Sequence, residues 1–255
     1  MFGISNARCP LGDEDRSWVD DRLYFLATQF GTDVLWKTPV IEPTAAFFPG
    51  KFEPTEDYAR GLMQRIAGFM GLAQHRLTLE VYDEHRHRPV APTVILQSQK
   101  DATSAAGLYW QGDGVIGIEA TTLRDPMVLV AVLAHELAHE RLLGEGRINR
   151  GEMDHEPTTD LATVFFGLGI FGANCSVHFS QHANAGSSGW KSGRMGYLSE
   201  EVWAYALALW ATTRRDYKPA WRKHLRLNLR TFMKSSMAWL KQHEDDGNIT
   251  CLLRP

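Results

Sequence analysis

Asp125-Pro-Met-Val-Leu-Val-Ala-Val-Leu-Ala-His-Glu-Leu-Ala-His139 decides how the rest of the chain is read. Asp125 is suited to cap a helix and Pro126 to start one, while Gly144 stands where a C-terminal cap is expected. The residues between are apolar on nearly every face, so the spacing predicts a buried helix. It carries the pattern H-E-x-x-H. Helical geometry puts His135 and His139 one turn apart on one face, where two imidazoles can converge on a metal ion with Glu136 beside them. Zinc suits such a set: it takes three protein ligands and a water in hydrolytic sites and makes that water acidic enough for a carboxylate to deprotonate. Histidines and acids in so apolar a helix need a metal or polar partners.

Two histidines leave one protein position at the ion to be filled from downstream. Asp154-His-Glu-Pro-Thr-Thr-Asp160 offers the residue types, since Pro157 fits the first turn of a helix that places Glu156 and Asp160 on one face. Glu156 can then ligate zinc while Asp160 accepts a hydrogen bond from the far nitrogen of a ligand histidine and fixes its orientation. Glu152, Asp154 and His155 crowd the same short connection and are the other acids and imidazole within reach.

H-E-x-x-H followed by E-x-x-x-D resembles the gluzincins, the thermolysin-like clan of zinc metallopeptidases. The resemblance covers about residues 107–175. It implies His135, His139 and Glu156 as metal ligands, Glu136 as general base and Asp160 as the partner of a ligand histidine. A metzincin is disfavoured, because its longer motif requires glycine where Leu142 stands and histidine where Glu145 stands. Such a peptidase also needs a donor for the oxyanion of its intermediate, and His178, His182, Arg194, Tyr197 and Tyr205 are the available types.

Upstream, Val19, Leu23, Leu26 and Phe30 make a helical stripe over 16–30 that ends at Gly31. A Pro-punctuated segment follows, from Pro39 to Pro54, whose Phe47 and Phe48 are expected to pack over the body of the domain. Thr55 is expected to cap a second helix with Tyr58, Leu62, Ile66 and Phe69 on one side and Gly71 at its end. From residue 76 the period becomes alternating, so Leu77–Tyr82 and residues 93–97 read as strands, and 107–119 as a hairpin turning at Gly112-Asp113-Gly114. His85 and His87 lie in the charged connection between the first two and read as solvated. One arm of the hairpin is the candidate edge for an extended peptide added as a further strand.

Downstream, the apolar run Leu161–Cys175 reads as one buried helix, too short to span a bilayer. A polar loop is expected from beyond Asn174 to Gly196, then a helix capped by Ser199 with Val202, Tyr205, Ala206 and Leu209 buried. A last amphipathic helix is expected over 217–243, with Trp221, Leu225, Leu229 and Phe232 inward.

The expected fold is α+β: one mainly helical domain spanning 1–255, with a helical part (1–75), the sheet and metal-site helices (76–175) and a C-terminal helical part (176–255). Its 255 residues, 44% hydrophobic and 22% charged, allow a sizeable core, and the net charge of −3 gives no basic surface for nucleic acid. Residues 214–234 are locally basic but read as a solvated helix face. Three well-separated cysteines without C-x-x-C and an N-terminus without a signal-peptide core suit a reducing, cytoplasmic setting with no membrane partner. The expected function is a zinc-dependent peptidase acting on a peptide or protein. The competing readings are a binding or regulatory module whose metal is closed off by a fourth ligand such as His155 or Asp154, and a protease selective for one regulatory partner.

Overall fold

The computed structural model describes residues 8–82, 107–110, 114–183 and 198–243, with the backbone alone for 107–110 and 177–183. The strand expected over 93–97 lies outside them, as do His85, His87, Arg194, Tyr197 and Cys251.

The chain opens with α1 (Asp13–Phe30), whose first turn carries Asp13, Glu14 and Asp15 against the positive end of the helix dipole. Val19, Leu23 and Leu26 are fully buried along it. Gly31, at φ 95°, ends the helix and leads into a short α2 (Thr32–Lys37), which the sequence pattern does not announce because Leu35 is its one buried residue. The Pro-rich segment then brings Phe47 and Phe48 edge-on to Phe69, and Phe48 also to Phe171. Thr55 caps α3 (Glu56–Phe69) by accepting from the Tyr58 amide, and Gly71 at φ 70° closes it.

Three strands form a mixed sheet in the order β1 (Thr78–Tyr82), β3 (Val115–Glu119), β2 (Gly107–Trp110). β3 is central, parallel to β1 with Thr78 opposite Val115, and antiparallel to β2 with Trp110 opposite Val115. The two arms expected of the hairpin therefore pair, with Gly114 at φ 62° where a side chain would meet the Arg76 carbonyl, while Gly112 and Asp113 of the expected turn lie outside the described residues.

From β3 the chain runs through a 3-10 turn into α4 (Pro126–His139), where Asp125 Oδ1 accepts from the amides of Met127 and Val128. Gly144 is not its cap. The helix continues through a π turn over Glu140–Gly144, and Gly146, at φ 68°, stops it with its own amide on Leu143 O and that of Arg147 on Leu142 O. The wider turn brings consecutive side chains nearer one face, and Leu142 and Leu143 are both buried.

The run expected as one helix is two. α5 (His155–Phe165) ends at Gly167, φ 77°, and α6 (Gly169–Ala183) follows. Gly167 accepts from the Ile41 amide, and a Cβ on it would lie 2.1 Å from the Pro39 carbonyl oxygen, so the Pro-rich segment needs the break. α6 also extends nine residues past Asn174, so the backbone of His178 and His182 is helical rather than part of a loop.

Ser199 caps α7 (Glu200–Thr213), which is buried from Val202 to Thr213. The last expected helix is interrupted as well: a 3-10 turn over Ala220–His224 precedes α8 (Leu227–Gln242). Arg226 between them is extended because its amide donates to Asn174 Oδ1. Trp221, Leu225 and Leu229 are buried as expected, while Phe232 is only partly so and Met233 occupies the interior. Some of the local basic residues serve the chain itself, since Arg214 stacks on Trp210 and Arg230 donates to the Leu225 carbonyl. The buried apolar residues from Leu11 to Leu240 form one cluster around α4, α5 and α7. Among the described residues no helix is long and apolar enough to cross a membrane, and Cys9 and Cys175 are both free.

Candidate metal centre

α4 and α5 pack side by side, so the last turn of one faces the first turn of the other. The helical spacing of His135 and His139 stacks their rings edge to face, with centroids 4.7 Å apart. Glu156 reaches across from α5. Its Oε2 lies 3.1 Å from His135 Nε2 and 3.2 Å from His139 Nε2, and these three residues form the group able to hold a metal ion among the described residues. The sequence expectation and the geometry agree on this triad.

The far side of each ring is held. His135 Nδ1 donates to Asp160 Oδ1 at 2.9 Å, the contact expected of that aspartate. Burial raises the pKa of Asp160 against the lowering effects of His135 and the Leu198 amide, and its Oδ2 has no hydrogen-bond partner of normal geometry among the described residues. At His139 the holder is Thr159, which the sequence reading misses. Its hydroxyl gives its hydrogen to the His155 carbonyl at 2.8 Å, so at 3.2 Å from His139 Nδ1 it is an acceptor.

These contacts test whether a metal fits. Burial lowers the His139 pKa to about 4, so the ring is neutral near pH 7, with its proton on Nδ1. Its bare Nε2 then faces a carboxylate oxygen at 3.2 Å, and two acceptors opposed in a buried site are relieved by a cation between them. The two distances from Glu156 to the histidines are close to what a metal needs, because ligand bonds of about 2.0–2.2 Å in a tetrahedral site set the donor atoms roughly 3.3–3.6 Å apart. Without the ion, burial works against the charge on His135 but its hydrogen bonds to Asp160 and Glu156 outweigh it, raising its pKa well above the imidazole range. Burial likewise opposes ionisation of Glu156, yet its contact with the charged His135 holds its pKa below the usual carboxylate range. Thirty-eight per cent of the Glu156 side chain remains exposed, so the group opens to solvent on that side.

Glu136 does not belong to the triad. It is buried beside His135, and that burial raises its pKa to about 7; the charges of His135 and Arg150 lower it, while Glu156 raises it. A carboxyl poised there exchanges a proton readily near neutral pH. Tyr82, at the end of β1, lies close enough for Glu136 and Glu119 to add to the upward shift that its own burial produces.

The crowded acids of the connection are sorted by α1. Asp154 Oδ2 accepts from Trp18 Nε1 at 2.9 Å and from Arg22 at 2.6 Å, and Glu152 caps the Asn149 amide, so both are turned to other work. His155 donates from Nδ1 to the Glu152 carbonyl at 2.8 Å and sets Nε2 3.1 Å from the other Glu156 oxygen, Oε1. Nothing in the sequence points to Arg22 or Trp18, more than 130 residues from the turn they hold.

No protein family, curated protein or solved structure matches the chain. Of the residues named as oxyanion donors, Tyr205 is fully buried and its hydroxyl donates to Asp20 on α1, which commits it elsewhere. The side chains of His178, His182, Arg194 and Tyr197 lie outside the described residues.

Proposed function

We propose that this chain is a zinc-dependent peptidase of the gluzincin type, hydrolysing peptide bonds in a peptide or protein substrate. The observation that carries it is the division of labour on α4. His135 and His139 turn Nε2 toward Glu156, while the adjacent Glu136 stays outside the triad with a pKa near neutrality. A purely structural metal site has no use for a second buried carboxyl of that kind. Zinc is favoured among metals by a mixed set of two imidazoles and one carboxylate.

Held by His135, His139 and Glu156, the ion would supply a Lewis acid for the scissile carbonyl and acidify a water. The remaining work belongs to the protein. Glu136 accepts the proton that water loses on attacking the carbonyl carbon, and returns it to the amine as the peptide C–N bond breaks. Asp160 and Thr159 keep the imidazoles from rotating. β2 is an outer strand of the described sheet, and its far edge suits an extended peptide bound through main-chain hydrogen bonds.

Metal analysis of the purified protein combined with a peptide-library digest tests this reading. About one zinc per chain, as a single three-ligand site requires, together with cleavage that chelation stops, is the expected result. A chain with no zinc affinity would overturn the reading.

A further inference from the structure

Gly61 is a glycine that its own helix does not require. It lies in the middle of α3 without a positive φ, and a Cβ built on it would meet nothing within 4 Å. Three other helical glycines are explained by their neighbours, since a Cβ on Gly68 would come within 2.9 Å of Gln74 Nε2 and those on Gly169 and Gly172 would strike Val164 and Trp203. Glycine inside a helix is destabilising relative to alanine, so α3 gives up stability to leave the space above Gly61 open. That space belongs to a groove of about 210 Å³ between α3 and the Pro-rich segment, lined by the buried Leu62 and by Phe48, Pro49 and Tyr58. Phe48 is held edge-on by Phe69 and Phe171, and Tyr58 by Phe52, so its aromatic walls are already fixed. Arg65 lines the same groove and has no hydrogen bond or ion pair among the described residues, whereas Asp57 on the same rim is paired with Arg60 at 2.8 Å.

Size, spacing and charge together select an occupant. Pockets for whole drug-sized ligands begin near about 300 Å³, so this smaller groove suits one bulky side chain. Arg65 stands about 6 Å along the helix from Gly61, four residues at about 1.5 Å each. The C-terminal residue of a peptide carries a side chain and a carboxylate on one Cα, which matches that span, and a guanidinium can hold the carboxylate through two parallel hydrogen bonds. Because Asp57 is engaged by Arg60, the rim offers no uncommitted carboxylate to an ammonium group, so the nitrogen of the occupant is that of an amide rather than a free amine. We propose that this groove binds the C-terminal residue of a peptide, with its bulky apolar side chain over Gly61 and its carboxylate on Arg65. None of these residues belongs to the metal centre, and the inference stands without the proposed peptidase activity.

Titration of the isotope-labelled protein with N-acetylphenylalanine, followed through its backbone amide resonances, tests this directly and needs no turnover. Saturable shifts are expected at Gly61, Leu62 and Arg65. N-acetylphenylalanine amide, which lacks the carboxylate, should bind about tenfold more weakly, the order of one charge-assisted hydrogen-bonded pair. Free phenylalanine should also bind more weakly than its acetylated form. Arg65→Gln, a surface change that leaves the fold intact, should reduce the affinity for the acid to that for the amide. Gly61→Leu should fill the groove and abolish the shifts, while Gly61→Ala should raise the melting temperature, because nothing in the protein opposes the added methyl. Circular dichroism reports whether each variant is folded, and Arg65→Gln carries the test if a Gly61 variant is not. Absence of shifts in the groove, equal affinity for the acid and the amide in the wild type, or binding undiminished by Gly61→Leu would overturn the inference. Tighter binding of free phenylalanine than of the acetylated form would overturn it too, making the groove a site for amino acids. None of these results bears on zinc, so the metal reading and this one fail separately.

Discussion

Asp160 Oδ1 accepts the Nδ1–H of His135 at 2.9 Å, and this contact determines that Nε2 is the nitrogen His135 presents to Glu156. Losing the holder and losing the ligand should therefore have different consequences. Asp160→Asn is expected to weaken zinc binding about 10–100-fold, the usual cost of removing such a partner, and to regain activity in excess zinc. Glu156→Ala leaves two imidazoles and solvent, and added metal should not rescue it. Competition with a chromogenic chelator measures both; an inverted rescue pattern would make Asp160 the ligand.

Glu136 is to be tested by Glu136→Gln, which keeps its size but cannot accept a proton. Zinc content and thermal stability should stay close to wild type, with peptide hydrolysis reduced at least about 100-fold, as for loss of a general base. Unchanged hydrolysis would exclude the proposed role.

Asp20 provides a pH test remote from the metal. Its burial raises the pKa from 3.8 to about 6, against the opposing effects of the Tyr205 hydrogen bond and Arg16. Folding thus favours the protonated acid. Its contribution to stability is complete below about pH 4 and is lost as pH rises through 6, on the order of 2 kcal/mol at about 1.4 kcal/mol per pKa unit after allowing for partial exposure. Urea unfolding of the metal-free protein between pH 4 and 7 should show this decline, and Asp20→Asn should flatten it. A wild-type slope unaltered by the substitution would mean that Asp20 is not its source.

Two glycines with positive φ should respond unequally to alanine. At Gly146 a Cβ meets nothing within 4 Å, so Gly146→Ala carries only the left-handed backbone cost of about 1–2 kcal/mol. At Gly167 it would also strike the Pro39 carbonyl, and Gly167→Ala should cost at least about 2–3 kcal/mol. Denaturant midpoints compare them, and equal losses would mean the Pro39 contact yields freely.

The two motifs were legible because their signals are local. Asp125 and Pro126 cap α4 within three residues, and the four-residue spacing of Glu156 and Asp160 survives as one face of α5. The break in the apolar run was not legible, for a physical reason: Gly167, Gly169 and Gly172 look alike in sequence. Only Gly167 reverses the backbone, while Gly169 and Gly172 lie inside α6 where a Cβ would strike Val164 or Trp203. Thr159 could have been suspected from its place beside Glu156. The extended Arg226 depends on an amide partner at Asn174, which no local pattern records.

The bond from Arg22 to Asp154 joins positions 132 residues apart and holds the turn from which Glu156 projects. During synthesis α1 is made long before that turn exists, and it must wait for the intervening chain to close a large loop around it, a slow kind of contact to form. A peptide carrying only the two motifs would have both histidines and the glutamate but no anchor for the turn. The arrangement that could hold a metal ion is thus completed late, as a property of the assembled chain rather than of the helices that bear the three side chains.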